Sequence, residues 1–170
     1  LGTAGRNCRG GGGIQGGVPD EVHFDIPGSG VHVIHPGGTL PSILERVIID
    51  GYTQPGASPN TLTVGDDAVL QIEIDGSGMS TAAPDLFHFG SDGSTVRGLA
   101  ITHVRSRAFV IGVSTGGIVV SSSNNTIAGN FIGTDAGGSA YLADNGVAIQ
   151  TGLFPGLLYG GNRIGGTAPA

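Results

Sequence analysis

Residues 94–101 read STVRGLAI and residues 124–132 read NNTIAGNFI, and this recurrence decides the fold. The two segments align with Thr95 on Thr126, and each alternates an apolar residue with a small or polar one. Each then turns at a glycine, Gly98 or Gly129, and Gly165 takes the same place in a third unit. Short alternating runs that end at such turns are typical of half-buried β-strands.

Two further recurrences indicate that every repeat contains more than one strand. Residues 47–51 (VIIDG) recur as residues 72–76 (IEIDG), and a second strand type recurs at residues 86–89, 117–120 and 146–149. Repeats made only of strands and turns favour an all-β fold of the right-handed parallel β-helix type, a solenoid with Gly-rich and Asn-rich turns. We expect inward-pointing, stacked isoleucines in it: Ile49, Ile74, Ile101, Ile132 and Ile149. A β-sandwich is the alternative, but its strands would be longer and would not return the same unit at each pass.

Composition limits the kinds of partner. The 170 residues include 34 Gly and 9 Pro, yet 38% are hydrophobic, which is enough to bury a core. The net charge of −6, without any lysine, argues against nucleic-acid binding. No apolar run is long enough to cross a bilayer, so we predict no membrane span. The single cysteine, Cys8, excludes an internal disulfide.

The sequence divides into two regions. Residues 1–21 contain a Gly-rich stretch that reads as a flexible N-terminal arm, and residues 22–170 contain the β-helix coils. A last strand unit starts at Asn162, and the sequence stops at Ala170 before that coil would close. We therefore expect a fragment with an open C-terminal end, which exposes strand edges and invites end-to-end self-association.

Three long segments carry a resemblance to a known family. Residues 24–31 (FDIPGSGV), 48–61 (IIDGYTQPGASPNT) and 129–135 (GNFIGTD) closely resemble bacterial right-handed parallel β-helix repeat proteins. The resemblance implies a very large secreted or surface-attached protein, and hence an extracellular or cell-surface location. It implies no catalytic residue set. Pectin-lyase-like enzymes share this fold type, so an enzyme must be judged by its site.

Asp50 and Asp75 are the weak candidates for a carboxylate pair. If they held matching positions of successive coils, they would lie about 4.8 Å apart and could cleave a glycoside or bind Ca²⁺. The Asp-Gly turn at each position accounts for both residues without a ligand, so we predict no cofactor and leave Ca²⁺ open. Arg97 and His103, with Arg105 and Arg107, could form the basic patch of a lyase beside Asp75. The alternative is a solvated face with isolated charges.

Tyr52, Gln54 and Asn60 are the weak candidates for ligand contact, because an aromatic ring beside amides suits a sugar. The alternative is a packed turn that is stiffened by prolines. These observations favour a structural or adhesive module, with polysaccharide as a candidate partner, over an enzyme. The alternative function is a carbohydrate-active enzyme fragment, either a polysaccharide lyase or a glycoside hydrolase.

Overall fold

The chain is built from short strands with almost no helix. The computed structural model describes residues 17–79, 85–115, 118–120, 122–139, 146–149 and 160–165. Two short 3-10 helices, η1 (Gly51–Thr53) and η2 (Gly76–Gly78), follow strands. The strands are β1 (Asp20–His23), β2 (His32–Ile34), β3 (Val47–Asp50), β4 (Ile72–Asp75), β5 (Phe87–Phe89), β6 (Thr95–Arg97), β7 (Leu99–Thr102), β8 (Phe109–Ile111), β9 (Val113–Thr115), β10 (Ile118–Val120), β11 (Thr126–Ile127), β12 (Phe131–Ile132), β13 (Val147–Ile149) and β14 (Arg163–Ile164).

Three parallel sheets contain all but two of these strands. Sheet A has the order β1-β3-β6-β11-β14, sheet B has β2-β4-β7-β12, and sheet C has β5-β8-β13. A bridge from Ile43 to Phe89 adds one more parallel contact to sheet C. The chain visits the three sheets in the same order on successive passes, as in β3, β4, β5 and then β6, β7, β8. The all-β prediction is confirmed, and the parallel pairing is not that of an antiparallel sandwich.

Apolar side chains stack in rows between the sheets. In sheet A the register places Ile49 beside Val96 and Val96 beside Ile127. In sheet B it places Ile74 beside Ile101 and Ile101 beside Ile132. Ile49, Ile74 and Ile101 are buried, as predicted, and Ile132 packs against the core while partly exposed.

The third row belongs to sheet C. Ile149 pairs through its backbone with Ile111 of β8, although the burial of its side chain lies outside what the structure describes. Phe87 and Phe109 are register partners whose rings stack with centroids 5.2 Å apart. The core is therefore a set of rows that run from strand to strand, and each row depends on its neighbours.

Glycine and asparagine make the corners, as the sequence predicts. Gly98, Gly129 and Gly165 have φ values of 74°, 66° and 69°, and Asn124 has a φ of 57°. Gly98 turns the chain directly from β6 into β7, and its N–H donates to the carbonyl oxygen of Gly129 in the next pass. Left-handed backbone is costly for residues with a Cβ, and Asn is among the few that tolerate it.

Two of the predicted repeats are matched to the wrong strands. Residues 47–51 and 72–76 are not equivalent positions of successive coils, because β3 belongs to sheet A and β4 to sheet B. Residues 118–120 form β10, which pairs antiparallel with β9 and does not join β5 and β13. The strand between β5 and β13 is β8, which the repeat pattern missed.

The two edges of sheet A are β1 and β14. β1 begins at Asp20, within the range 1–21 assigned to an arm, and residues 1–16 lie outside the described residues. Ile164 of β14 is 47% exposed, and the remainder of the predicted incomplete coil, residues 166–170, also lies outside. In the ranges that the structure describes, no helix has the length and apolar character required to span a membrane.

Candidate functional site

Asp50 forms an ion pair between two neighbouring strands. It ends β3, and its register partner is Arg97, the last residue of β6. The Arg97 Nη2 atom donates to Asp50 Oδ2 at 2.7 Å, and the Tyr52 N–H donates to Asp50 Oδ1 at 3.0 Å. The Asp50 residue is 7% exposed. Both carboxylate oxygens are thus engaged, one in capping η1 and one in joining β3 to β6.

Asp75 has the same local role at the end of β4. It caps η2 by accepting the Ser77 N–H at 2.8 Å. Its Oδ1 lies 3.0 Å from His103 Nδ1, and its Oδ2 lies 3.5 Å from His35 Nδ1. Burial by itself would raise the pKa of Asp75, but the Ser77 hydrogen bonds and the nearby His103 and His35 lower it below its ordinary value. The carboxylate therefore stays ionised where the chain turns out of sheet B.

The two aspartates do not form a catalytic pair. The carboxylate pair required Asp50 and Asp75 to hold matching positions of one sheet, and their strands lie in different sheets. Glycoside hydrolysis requires two carboxyl groups that face one bond. Here each carboxylate has its own cationic or imidazole partner, Arg97 for Asp50 and His103 for Asp75.

The basic patch that was considered beside Asp75 does not form either. Of its four members, only His103 contacts Asp75. Arg97 pairs with Asp50, Arg107 pairs with Asp85, and Arg105 is exposed. The positive charges are spread over separate corners, so they do not create a single cationic surface.

Tyr52 packs across the glycine corner of sheet A. Its hydroxyl donates to the carbonyl oxygen of Gly129 at 2.7 Å. A Cβ added at Gly98 would lie 2.6 Å from the Tyr52 nitrogen and 3.0 Å from its Cγ, so the ring rests where Gly98 leaves room. Burial, followed by the negative charge of Asp66, raises the pKa of Tyr52 to about 12. The Tyr52 hydroxyl thus joins η1 to the glycine corner after β11 through one hydrogen bond.

Gln54 and Asn60 hold the backbone in place and do not face a common ligand. Gln54 is 1% exposed, and its amide accepts from the Ile26 N–H and donates to the Ile26 carbonyl, both at 2.9 Å. Asn60 Oδ1 accepts the N–H groups of Leu62 and Asp67 within its own loop. Gln54 is therefore not available to a ligand, and the packed-turn alternative describes this region.

Asp85 is the centre of a polar cluster that the sequence analysis missed. Its Oδ1 accepts from Ser106 Oγ at 2.8 Å and from Arg107 Nε at 2.8 Å, and its Oδ2 accepts from Arg107 Nη2 at 2.6 Å. His88 Nε2 lies 3.2 Å from the same Oδ2. The residue is 7% exposed; burial would raise its pKa, but the Arg107 and Ser106 hydrogen bonds lower it. A bidentate arginine on a buried carboxylate joins the turn before β5 to the turn before β8.

No residue pattern could have revealed the Asp85 cluster. Its members approach only because β5 and β8 are neighbours in sheet C, and β8 was not predicted. Across the described part of the chain, no group of three His, Cys, Asp or Glu side chains is arranged to hold a metal ion.

The polar residues thus share one arrangement, in which a side chain at a turn binds its counterpart on the next pass. Asp50 with Arg97, Asp75 with His103, and Asp85 with Arg107 are its charged members. Such pairs can fix the register of neighbouring strands. In comparisons with known proteins, no family model, curated protein or solved structure matches this chain.

Proposed function

We propose that the chain is a right-handed parallel β-helix and serves as a structural or adhesive module of a secreted or cell-surface bacterial protein. The fold proposal is supported by the constant order in which the chain visits sheets A, B and C. It is also supported by the side-chain rows that continue through each sheet. The location and the bacterial source rest on the sequence resemblance.

A single observation carries the structural role. The side chains that sequence analysis offered for catalysis are used to hold one pass against the next, as in the Asp50 to Arg97 pair at 2.7 Å. A carboxylic acid that donates a proton in glycoside cleavage needs access to substrate and a raised pKa. Asp75 and Asp85 instead have lowered pKa values, as expected of structural ion pairs.

An activity screen tests the functional proposal. The chain is incubated with polyuronates and with neutral polysaccharides, with and without Ca²⁺, and reducing ends and unsaturated products are measured. We expect no cleavage from the wild-type chain, and no difference for Asp50→Asn or Asp75→Asn. Cleavage that either substitution abolishes would make those carboxylates a site and replace the structural proposal with the enzyme alternative.

A disulfide experiment tests the fold proposal independently. Thr95 and Thr126 are parallel register partners, so cysteines at both positions, with Cys8 changed to serine, should oxidise to an intramolecular disulfide. The matched control places cysteines at Glu21 and Thr95, which are two strands apart in the same sheet. Their separation of about 9.6 Å exceeds the reach of a disulfide, so no cross-link is expected. A cross-link in the control alone would refute the register.

A further inference from the structure

Sheet A ends in two exposed strands whose side chains continue its internal rows. Val22 of β1 pairs with Ile49, and Ile164 of β14 pairs with Ile127. Within the described residues, the row therefore begins at Val22, which is 42% exposed, and finishes at Ile164, which is 47% exposed. Each edge presents an apolar side chain at the position where the next strand of the row would pack.

A side-chain ladder runs along the same sheet in one direction. The Val47 N–H donates to Ser94 Oγ at 3.2 Å, the Ser94 N–H to Asn125 Oδ1 at 2.9 Å, and the Asn125 N–H to Asn162 Oδ1 at 2.9 Å. In each step, a side-chain oxygen accepts from the backbone of the preceding strand. Asp20 is the register partner of Val47 and thus the first residue of this column. Asp20 supplies a side-chain oxygen at this place, which is the kind of acceptor that the ladder uses at Ser94, Asn125 and Asn162.

The neighbouring column carries opposite charges at its two ends. It runs through Glu21, Ile48, Thr95, Thr126 and Arg163 by register. Glu21 and Arg163 are both exposed, and the three residues between them are uncharged. Glu21 lies 3.0 Å from His23 on its own strand, and Arg163 donates through Nε to the Gly165 carbonyl. Opposite charges placed across a strand pair are stabilising, whereas like charges are destabilising.

From these three columns we infer that β14 of one chain pairs in parallel with β1 of a second copy. The pairing sets Asp20 against Asn162, Glu21 against Arg163 and Val22 against Ile164. It thus supplies an acceptor for the ladder, a counter-ion and an apolar neighbour in one register. This inference rests on the proposed β-helix fold.

The second copy suits the edge better than the chain's own first residues. Residues 1–16 include seven glycines and only Leu1 and Ile14 as large apolar residues, and no part of them repeats the pattern of β14. The inference concerns the edge of sheet A alone, because β14 gives this sheet one strand more than sheet B. A contact between two different surfaces leaves one unpaired edge at each end of an assembly, so it builds linear assemblies unless the rotation between copies closes a ring.

Charge reversal tests this pairing in the 170-residue chain. Sedimentation velocity over a concentration series should show wild-type assemblies that grow with concentration. Glu21→Arg and Arg163→Glu should each weaken association about tenfold, because like charges then face each other. The double variant restores opposite charges and should recover most of the wild-type affinity. Arg105→Glu, at an exposed arginine away from both edges, should associate like wild type.

The ladder gives a second test at Asp20. Asp20→Asn keeps a side-chain oxygen and should associate nearly as well as wild type, whereas Asp20→Ala should weaken association. Circular dichroism and urea unfolding confirm that each variant is folded. A folded wild-type chain that stays monomeric at high concentration overturns the pairing and leaves the fold proposal intact, since the Thr95 to Thr126 cross-link reports on the fold alone. Association that the double variant fails to recover overturns the register.

Discussion

Replacing Gly98 by alanine should destabilise the chain far more than the same change at another glycine with similar backbone. Gly98 has a φ of 74°, and a Cβ there would lie 2.6 Å from the Tyr52 nitrogen and 2.9 Å from the Gly51 carbonyl carbon. These are backbone atoms of the adjacent pass, so a side-chain rotation cannot relieve the contact. Either η1 must move away from the corner, or Gly98 must leave its left-handed conformation.

The magnitude follows from two contributions. Left-handed backbone costs a residue with a Cβ about 1–2 kcal/mol, and forcing an extra carbon into a packed site adds about 1–3 kcal/mol. Gly98→Ala should therefore lower the free energy of unfolding by about 2–5 kcal/mol. Gly138 has a φ of 78° and nothing within 4 Å of an added Cβ, so Gly138→Ala should cost only the backbone contribution, about 1–2 kcal/mol.

Urea unfolding of the two variants measures this difference, and spectrophotometric titration identifies its cause. If η1 moves, the Tyr52 hydroxyl loses its bond to Gly129, and its pKa should fall from about 12 towards that of an exposed tyrosine. Tyr52→Phe identifies which part of the tyrosine signal belongs to this residue. Equal unfolding midpoints for Gly98→Ala and Gly138→Ala would refute the close approach at the corner.

Three other changes test the core, an ion pair and a backbone bond. Ile101→Asp buries an unpaired charge in a residue that is 1% exposed and should unfold the chain, a cost of several kcal/mol. Val33→Thr, on the exposed face of sheet B, adds no charge opposite its register partner Glu73 and should melt like wild type. The folded-state pKa of Asp85 is lowered from 3.8, so its contribution to stability is complete above pH 3.8 and is lost as pH falls through the lowered pKa. Asp85→Asn should therefore make the urea unfolding midpoint depend less on pH in this acidic range. Gln54→Ala leaves the Ile26 N–H and carbonyl without their side-chain partner. It should lower the free energy of unfolding, measured in urea, by about 1–3 kcal/mol. A value near zero would mean that water replaces the amide.

The sequence predicted those strands that recur together with the glycine at the corner that follows them. Thr95 aligns with Thr126 because each precedes a buried β-branched residue, Val96 or Ile127, that lies two positions before a left-handed glycine, and the structure pairs β6 with β11 in that register. Where the corner residues change, the pattern fails. β8 was missed because it leads into β9 and β10, which no other pass repeats in the part of the chain that the structure describes.

The charged positions were harder to interpret because an Asp-Gly pair in the sequence is expected both at a local turn and at matching positions of stacked strands. Asp50 and Asp75 each precede a glycine because each caps a 3-10 helix, and this shared role made two different corners look like one repeat. Their partners depend on which strands lie side by side. Arg97 is 47 positions from Asp50, and no spacing rule connects the two.

The number of residues in one pass is not constant, although the stacking is. Register partners along sheet A are 27, 47, 31 and 37 positions apart in successive passes, from Asp20 to Val47, Ile48 to Thr95, Thr95 to Thr126 and Thr126 to Arg163. The additional residues of the longer passes lie in turns outside the sheets. One example is the loop around Asn60 and Asp67, whose side chains accept hydrogen bonds from the backbone of the same loop. Chain length and sheet geometry are therefore uncoupled at these places. An evolving or engineered gene could lengthen such a loop to display a new peptide on the outer surface, while the rows beneath it keep their partners.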